Sequence, residues 1–343
     1  MAGPTRVALA LGSGGARGYA HIGVIEALEE RGLEIAGVAG SSMGALVGGL
    51  YAAGKLDDYT RWATSLTQLD VLRLLDVSLS APGAIHAEKI LDKVREILGD
   101  TPIEGLRIPY TAVATDLAAG RSVWFQRGPV DVAIRASIAI PGVITPYVLN
   151  GRVLADGGIL DPLPLAPILA AGADVTIGVS LGAEERDVEG GAPAHASAEP
   201  RPVDEWIGRF RRSAAQLLER DVVRTMVGRF GGGPVARSDA AEDVAAEAVE
   251  ATDDPVPVPK LSRFEVMNRS LDLMQSALAR YQLAGYPPDV LIRIPRKSGR
   301  SLDFHRAAEM IALGRSLTES ALDAAGLGTA PAAEPPDPDT GTA

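Results

Sequence analysis

The sequence Gly-Ser-Ser-Met-Gly at residues 40–44 constrains the fold more than any other part of the chain. An apolar run at 33–39 precedes it and a helix-forming run at 45–53 follows it, so the pattern predicts a strand that turns sharply into a helix. The spacing G-x-S-x-G puts Ser42, rather than Ser41, at the turn. A serine on such a turn exposes its hydroxyl beside a helix N-terminus, which stabilises negative charge. The segment therefore predicts a nucleophile elbow in an α/β fold.

A glycine-rich turn, Leu-Gly-Ser-Gly-Gly-Ala-Arg-Gly at residues 11–18, follows the first apolar run and precedes a helical stretch. Its bare backbone N–H groups predict an anion site. One interpretation is the dinucleotide fingerprint G-x-G-x-x-G with Glu34 as ribose acceptor, but Arg17 stands where the third glycine is required. The other is an oxyanion hole formed by the N–H groups of Gly14 and Gly15. The serine elbow one strand later favours the oxyanion hole.

A third motif, Val-Leu-Ala-Asp-Gly-Gly at residues 153–158, ends a short predicted strand with an acid and two glycines. An isolated motif of this kind is usually a turn or a helix cap, but beside a serine elbow Asp156 becomes a candidate general base. Histidine would be the usual partner of the serine. None of the four histidines has the strand-end setting of a catalytic base. They are His21, His86, His195 and His305.

Together these motifs resemble the patatin-like phospholipase family, whose members use a serine–aspartate dyad without histidine. A fourth segment, Ala-Ser-Ile-Ala-Ile-Pro at residues 136–141, is similar to the family's cleft-lining A-S-x-A-x-P segment. The resemblance implies Ser42 as nucleophile, Asp156 as base, and Gly14 and Gly15 as the oxyanion hole. Ser13 is a further oxyanion candidate, and the other motif and cleft residues are Gly12, Arg17, Gly18, Gly40, Gly44, Ser137, Pro141, Gly157 and Gly158.

Two positions depart from the family pattern. Ser13 stands where many members have glycine, which weakens its N–H as an oxyanion donor, and Asp161 stands where an asparagine often precedes the proline. The implied substrate is a lipid acyl ester, hydrolysed without a metal or an organic cofactor. Arg17 is either an anchor for an anionic headgroup or a structural tie for the glycine loop. The implied fold is a patatin-like three-layer α/β/α architecture with a largely parallel central sheet.

The hydrophobic pattern alone also predicts strands that alternate with helices, as a parallel sheet requires. The predicted strands are 6–11, 33–39, 110–115, 122–125, 147–149, 152–155, 175–181 and 289–294. The predicted helices are 17–31, 43–53, 56–75, 88–98, 130–137, 163–171, 264–283 and 304–324.

Composition divides the chain into a predicted catalytic core at 5–183, an insertion at 184–260, core-completing elements at 261–325 and a disordered tail at 326–343. The insertion has acidic connectors around a basic amphipathic helix at 204–230. That helix is typical of peripheral membrane contact, of a lid, or of a surface helix packed on the core.

The balance of charge and apolar residues sets further expectations. A net charge of -11 and a pI near 5 argue against a nucleic-acid partner, and the absence of cysteine excludes thiol chemistry. The chain shows neither a secretory signal nor an apolar run of bilayer length, so we expect a cytoplasmic protein, with peripheral contact at the inner face of the membrane. Two alternative functions stay open here: a dinucleotide-dependent oxidoreductase and a catalytically silent membrane-associated regulator.

Overall fold

The computed structural model describes residues 3–74, 88–141, 143–183 and 263–328. One eight-stranded sheet runs through them, with helices packed on both faces. The strands are β1 (Arg6–Leu11), β2 (Glu34–Ser41), β3 (Tyr110–Asp116), β4 (Arg121–Phe125), β5 (Tyr147–Leu149), β6 (Arg152–Asp156), β7 (Val175–Ala183) and β8 (Val290–Pro295). The helices are α1 (Ala20–Glu30), α2 (Met43–Ala52), α3 (Leu56–Ser65), α4 (Gln68–Leu74), α5 (Glu88–Leu98), α6 (Val130–Ser137), α7 (Arg263–Gly285) and α8 (Ala307–Ala325).

The sheet has a parallel part and an antiparallel part. By hydrogen-bonded neighbours, the strand order is β5-β6-β3-β2-β1-β7-β8. Strands β6 and β2 pair with successive parts of one edge of β3, and β4 pairs with the opposite edge. Strands β3, β2, β1, β7 and β8 are parallel, whereas β4, β5 and β6 form antiparallel pairs around β3. The prediction of a largely parallel α/β sheet is confirmed, and the antiparallel part lies at the end where β6 carries Asp156.

Strand β1 shows how both faces of the sheet are covered. After Arg6 its residues are all buried, although successive side chains point to opposite faces, because both faces are covered. Val7, Leu9 and Leu11 belong to the larger core with α1, α2 and α8. Ala8 and Ala10 belong to a second core with Leu163, Leu165 and Ile168, against which Leu283 of α7 also packs. The result is the predicted three-layer arrangement.

Three predicted helices have different bounds in the structure. The first begins as a 3-10 turn at Gly15–Tyr19 and becomes α-helical only at Ala20. The predicted helix at 56–75 is two helices, because Leu66 is extended and Thr67 forms reciprocal hydrogen bonds with Asp70 that start a new one. The predicted helix at 163–171 is a 3-10 segment at Ala166–Ala171. This segment contains Pro167, which has no N–H to donate.

The C-terminal described residues belong to the same sheet and its helical layers. Strand β8 pairs in parallel with β7, and α8 packs against α1. Arg315 of α8 forms ion pairs with Glu26 and Glu30 of α1. The predicted insertion at 184–260, its helix at 204–230 and the tail beyond residue 328 lie outside the described residues. Among the helices that the structure describes, none is both long enough and apolar enough to cross a membrane.

Candidate active site

Ser42 lies on a strained turn between β2 and α2. Its φ of 55° and ψ of -121° place it in the left-handed half of the backbone map, where a non-glycine residue costs about 1–3 kcal/mol. The turn also brings α2 close to the end of β1. A Cβ atom at Gly44 would lie 2.1 Å from the carbonyl oxygen of Leu11, so this position of the predicted elbow requires glycine.

The two strands that carry Ser42 and Asp156 share one edge of β3. Strand β2 pairs in parallel with residues 110–113, and β6 pairs antiparallel with residues 114–116, while β4 occupies the opposite edge. The two strands therefore run toward each other along the same edge. Ser41 ends β2 opposite residue 113, and Asp156 ends β6 opposite residue 114. This head-on arrangement brings the residue after β2 beside the last residue of β6.

A direct hydrogen bond joins the two side chains. Ser42 Oγ donates to Asp156 Oδ2 at 2.5 Å, and the residues are only 4% and 3% exposed. The second carboxylate oxygen, Oδ1, accepts the N–H of Gly158 at 2.8 Å. The backbone of Asp156 is held as well, because its N–H donates to the carbonyl oxygen of Ala139 and its own carbonyl oxygen accepts the hydroxyl of Thr115. The carboxylate is thus fixed with one oxygen directed at the serine.

Burial sets the basicity of this carboxyl. Desolvation raises the pKa of Asp156 from 3.8 to about 6, and the hydrogen bonds from Ser42 and the Gly158 N–H act in the opposite direction. A pKa near 6 makes the carboxylate a better proton acceptor than an exposed aspartate, yet leaves it ionised at neutral pH. The site thereby has a base suited to deprotonating a serine.

The described histidines do not contact this pair. His21 is fully buried on α1, where its Nε2 lies 2.8 Å from the carbonyl oxygen of Gly12, and burial lowers its pKa to about 4. His305 lies in a 3-10 turn before α8. His86 and His195 lie outside the described residues. In the part of the chain that the structure covers, Asp156 is therefore the titratable side chain that forms a hydrogen bond with Ser42.

Ser137, at the end of α6, contributes a contact that sequence reasoning missed. Its side chain is fully buried, its Oγ accepts the N–H of Ser42 at 2.9 Å, and its hydroxyl donates to the carbonyl oxygen of Val113 at 2.6 Å. The serine elbow is thereby tied to β3 through one hydroxyl. From the sequence, Ser137 and Pro141 were predicted only to shape the cleft. Pro141 does line it.

The glycine-rich turn divides its N–H groups between the fold and the cleft. Gly12 donates to the carbonyl oxygen of Val179 at 3.0 Å, and Ser13 donates to that of Pro162 at 2.8 Å. The N–H of Ser13 is therefore not available as an oxyanion donor, contrary to its place among the candidates. Within the described part of the chain, the N–H groups of Gly14 and Gly15 have no acceptor.

Gly15 marks the point at which the turn bends into the cleft. Its φ is +58°, and a Cβ atom there would lie 2.4 Å from the carbonyl oxygen of Ser301, so glycine is required. Gly14 and Gly15 line the same hollow as Ser42 and Asp156. The hollow that contains Ser42 is therefore lined by two residues whose N–H groups have no acceptor among the described residues, and an oxyanion hole uses donors of this kind.

Arg17 ties the glycine turn to the C-terminal part of the chain. It is 5% exposed, its Nη1 donates to the carbonyl oxygen of Arg296 at 3.2 Å, and its Nη2 lies 3.8 Å from Asp272 of α7. Burial lowers its pKa, and the nearby Arg296 acts in the same direction. Of the two roles that the sequence left open, these contacts support the structural tie.

The remaining motif glycines lie at close contacts around the same centre. Gly40 approaches the backbone of Gly44, Gly18 approaches the side chain of Met43, Gly157 approaches the carbonyl oxygen of Val113, and Gly158 approaches the side chain of Ser13. All the motifs therefore converge at the carboxyl ends of β1 and β2.

The dinucleotide interpretation does not agree with the position of Glu34. This residue begins β2, opposite Arg6 at the start of β1, and the two side chains form an exposed ion pair at 3.7 Å. The glycine turn follows the other end of β1. A ribose acceptor has to lie near the glycine turn, so this position of Glu34 argues against the dinucleotide alternative.

Two hollows with different linings meet at Ser42. The first mixes the polar side chains of Asp272, Gln275 and Ser301 with apolar ones such as Ile140 and Leu271, and it also contains Gly14, Gly15 and Asp156. The second is almost entirely apolar, and its aromatic and aliphatic walls are formed by Tyr19, Met43, Leu46, Tyr59, Trp62, Leu66, Val71, Ile138, Ile140, Val143, Ile144, Leu302 and Phe304. The sequence had predicted one helix at 56–75 without a part in the site, whereas α3 and α4 supply Tyr59, Trp62 and Val71 to this wall. Their amphipathic pattern alone does not distinguish a pocket wall from an ordinary core face.

Comparison with known proteins defines the class. A profile of the patatin-like phospholipase family matches residues 9–169. An uncharacterised NTE family protein of Mycobacterium tuberculosis is 58% identical over 93% of this chain and 92% of its own length. The chain therefore belongs to the patatin-like phospholipase family, in the group whose members are called NTE family proteins.

Two eukaryotic relatives match about half of this chain. Human patatin-like phospholipase domain-containing protein 6 is 32% identical over 52% of this chain and 14% of its own length. The lysophospholipase NTE1 of Yarrowia lipolytica is 33% identical over 51% of this chain and 13% of its own length. The shared part is thus a small fraction of these much longer proteins.

Proposed function

We propose that the protein hydrolyses carboxylic esters of lipids, with Ser42 as nucleophile and Asp156 as general base. The observation that carries this proposal is the 2.5 Å hydrogen bond from Ser42 Oγ to Asp156 Oδ2 in a buried site. Family membership supports the substrate class, because the matching family is described as patatin-like phospholipases and one relative as a lysophospholipase.

In the first half of the reaction, Asp156 takes the proton of the Ser42 hydroxyl while Oγ attacks the ester carbonyl carbon. The carbonyl oxygen becomes negatively charged and accepts the N–H groups of Gly14 and Gly15. When the tetrahedral intermediate collapses, the carbon–oxygen bond to the alcohol breaks. Asp156 returns its proton to the departing alcohol oxygen, and an acyl-serine remains.

In the second half, water replaces the alcohol. Asp156 takes a proton from the water, whose oxygen attacks the acyl carbon, and the same two N–H groups hold the negative oxygen. Collapse breaks the bond to Ser42 Oγ, which recovers the proton from Asp156. The products are the free acid and the unmodified enzyme, and no step requires a cofactor.

The two hollows suggest how a lipid ester lies across the serine. The apolar hollow suits the acyl chain, because its walls remove hydrocarbon from water at about 25 cal/mol per Å². The first hollow contains the polar side chains of Asp272 and Gln275 and suits the glycerol or headgroup side of the ester. The scissile carbonyl then lies at their junction, beside Ser42.

Labelling with a fluorophosphonate probe tests this proposal. We expect covalent labelling of the wild-type protein at Ser42 and none of Ser42→Ala. Ser41→Ala is the matched control, because the Ser41 hydroxyl is bound to the carbonyl oxygen of Asp161 at 2.5 Å and has no part in the reaction. It should be labelled and should hydrolyse esters. A folded wild-type protein that neither reacts with the probe nor hydrolyses lipid esters would instead support a catalytically silent regulator.

A further inference from the structure

The outer face of α7 carries large apolar side chains that the fold leaves in solvent. Val266, Leu273, Met274 and Tyr281 are 48%, 59%, 54% and 78% exposed. They recur at positions i, i+7, i+8 and i+15, so they share one side of the helix. Single exposed apolar residues are common on proteins, whereas several on one helical face indicate an interaction surface.

The opposite side of α7 is held firmly at the active site. Gln275 accepts the hydroxyl of Ser13 at 3.1 Å, and Gln282 donates to the carboxylate of Asp161 at 2.8 Å. Leu271 and Asp272 line the hollow that contains Ser42. The helix is therefore one wall of the cleft, and its outer face is exposed to solvent.

The charged residues of α7 indicate which kind of partner this face binds. Arg269 and Arg280 are exposed and form no ion pair with any residue that the structure describes. Asp272 is the acidic side chain between residues 266 and 285, and it is turned toward Arg17 and Arg296. A face that combines exposed apolar side chains with arginines fits the anionic headgroup boundary of a lipid bilayer. Because the whole chain has a net charge of -11, a local cationic face determines which side of the protein turns toward an anionic surface.

We propose that the outer face of α7, made of Val266, Arg269, Leu273, Met274, Arg280 and Tyr281, lies on an anionic lipid surface. This placement would bring a helix that lines the cleft to the lipid surface. The proposal rests on the proposed function only in taking the substrate to be a lipid ester. It differs from the predicted contact through residues 204–230, because it uses a helix that also lines the cleft.

Vesicle binding of the full chain tests the proposal without requiring catalysis. Every protein carries Ser42→Ala, so that no lipid is consumed, and is sedimented with vesicles of equal parts phosphatidylglycerol and phosphatidylcholine. The double variant Leu273→Ser, Met274→Ser should bind about tenfold more weakly or worse, because two apolar side chains no longer enter the lipid. Arg269→Gln with Arg280→Gln should weaken binding to these vesicles but not to pure phosphatidylcholine.

Leu169→Ser is the matched control for these substitutions. Leu169 is 57% exposed, close to the 59% of Leu273, but its 3-10 segment precedes β7 and lies at the opposite end of the sheet from Ser42. The control should bind vesicles like the parent protein. Circular dichroism of each variant checks that the fold is retained.

Hydrolysis separates this proposal from the proposed function. With Ser42 intact, the Leu273→Ser, Met274→Ser variant should lose activity on vesicles and retain it on a short soluble ester. Equal vesicle binding by the variant and the control would overturn the proposal. So would sedimentation equilibrium that shows a dimer disrupted by the variant while vesicle binding is unchanged, because a second copy of the chain would then cover this face.

Discussion

Replacing Asp156 with asparagine should abolish ester hydrolysis and stabilise the fold in the same variant. Burial raises the pKa of this carboxyl from 3.8 to about 6. The folded state therefore favours the protonated form. The free energy of unfolding therefore falls as the pH rises from 3.8 through 6, because the carboxyl loses its proton more readily in the unfolded chain than in the folded one. Asparagine has no such ionisation and can still accept the N–H of Gly158.

The expected gain follows from the two pKa values. The rise from 3.8 to about 6, at about 1.4 kcal/mol for each pH unit, corresponds to about 3 kcal/mol above pH 6. This is an upper bound, because the new amide must replace the hydrogen bond with Ser42. Denaturant unfolding of wild-type and Asp156→Asn proteins at pH 8 and at pH 4.5 measures the gain. We expect it to be clearly larger at pH 8.

Asp161 provides the matched control. Burial also raises its pKa to about 6. Its carboxylate accepts a hydrogen bond from Gln282 Nε2, whereas Asp156 accepts one from the hydroxyl of Ser42. Asp161→Asn should show a similar pH-dependent gain in stability and should keep its hydrolytic activity. An Asp156→Asn protein no more stable than wild type at pH 8 would refute the reasoning about desolvation.

Three further predictions concern rate, anchoring and lipid access. The kcat/KM for a soluble ester should rise with pH to a plateau with a midpoint at about 6, since Asp156 must be ionised to act as base; a flat profile between pH 5 and 8 would contradict this. Ser137→Ala should destabilise the fold by about 1–3 kcal/mol in denaturant melts and lower kcat, because the Ser42 N–H loses its acceptor and the Val113 carbonyl its donor; unchanged values for both would contradict the anchoring role. Deleting residues 204–230 should lower hydrolysis of vesicle lipid much more than that of a short soluble ester, and equal losses would indicate ordinary core packing of that segment.

The sequence predicted the elements of the core because their signals are local. Apolar runs bounded by glycine and polar residues predict β1, β2 and β7, and the glycine turn and elbow follow strand ends where ligands of parallel sheets bind. Helix boundaries were less accurate where local chemistry overrode the pattern. The reciprocal hydrogen bonds of Thr67 and Asp70 start a new helix within a stretch that has one continuous apolar period.

Contacts between distant segments do not follow from the local pattern of residues. No periodicity indicates that β2 and β6 run toward each other along one edge of β3, although this pairing brings Asp156 to Ser42. The same holds for the bond between Ser137 and the Ser42 N–H, and for Gln275 of α7 against the glycine turn. Such contacts depend on the tertiary fold. Their residue types alone are compatible with ordinary surface or core positions.

The central claim is that Ser42 and Asp156 act as one unit without histidine. The most direct measurement is kcat/KM for a soluble ester of Ser42→Ala, Asp156→Asn and the double variant. Each single change should reduce it by several orders of magnitude, and the double variant should be little worse than either, because groups that act together are strongly non-additive. His21→Gln, His86→Gln, His195→Gln and His305→Gln should each retain substantial activity if folded. A folded Asp156→Asn protein with near-normal turnover, or a folded but inactive histidine variant, would contradict the account.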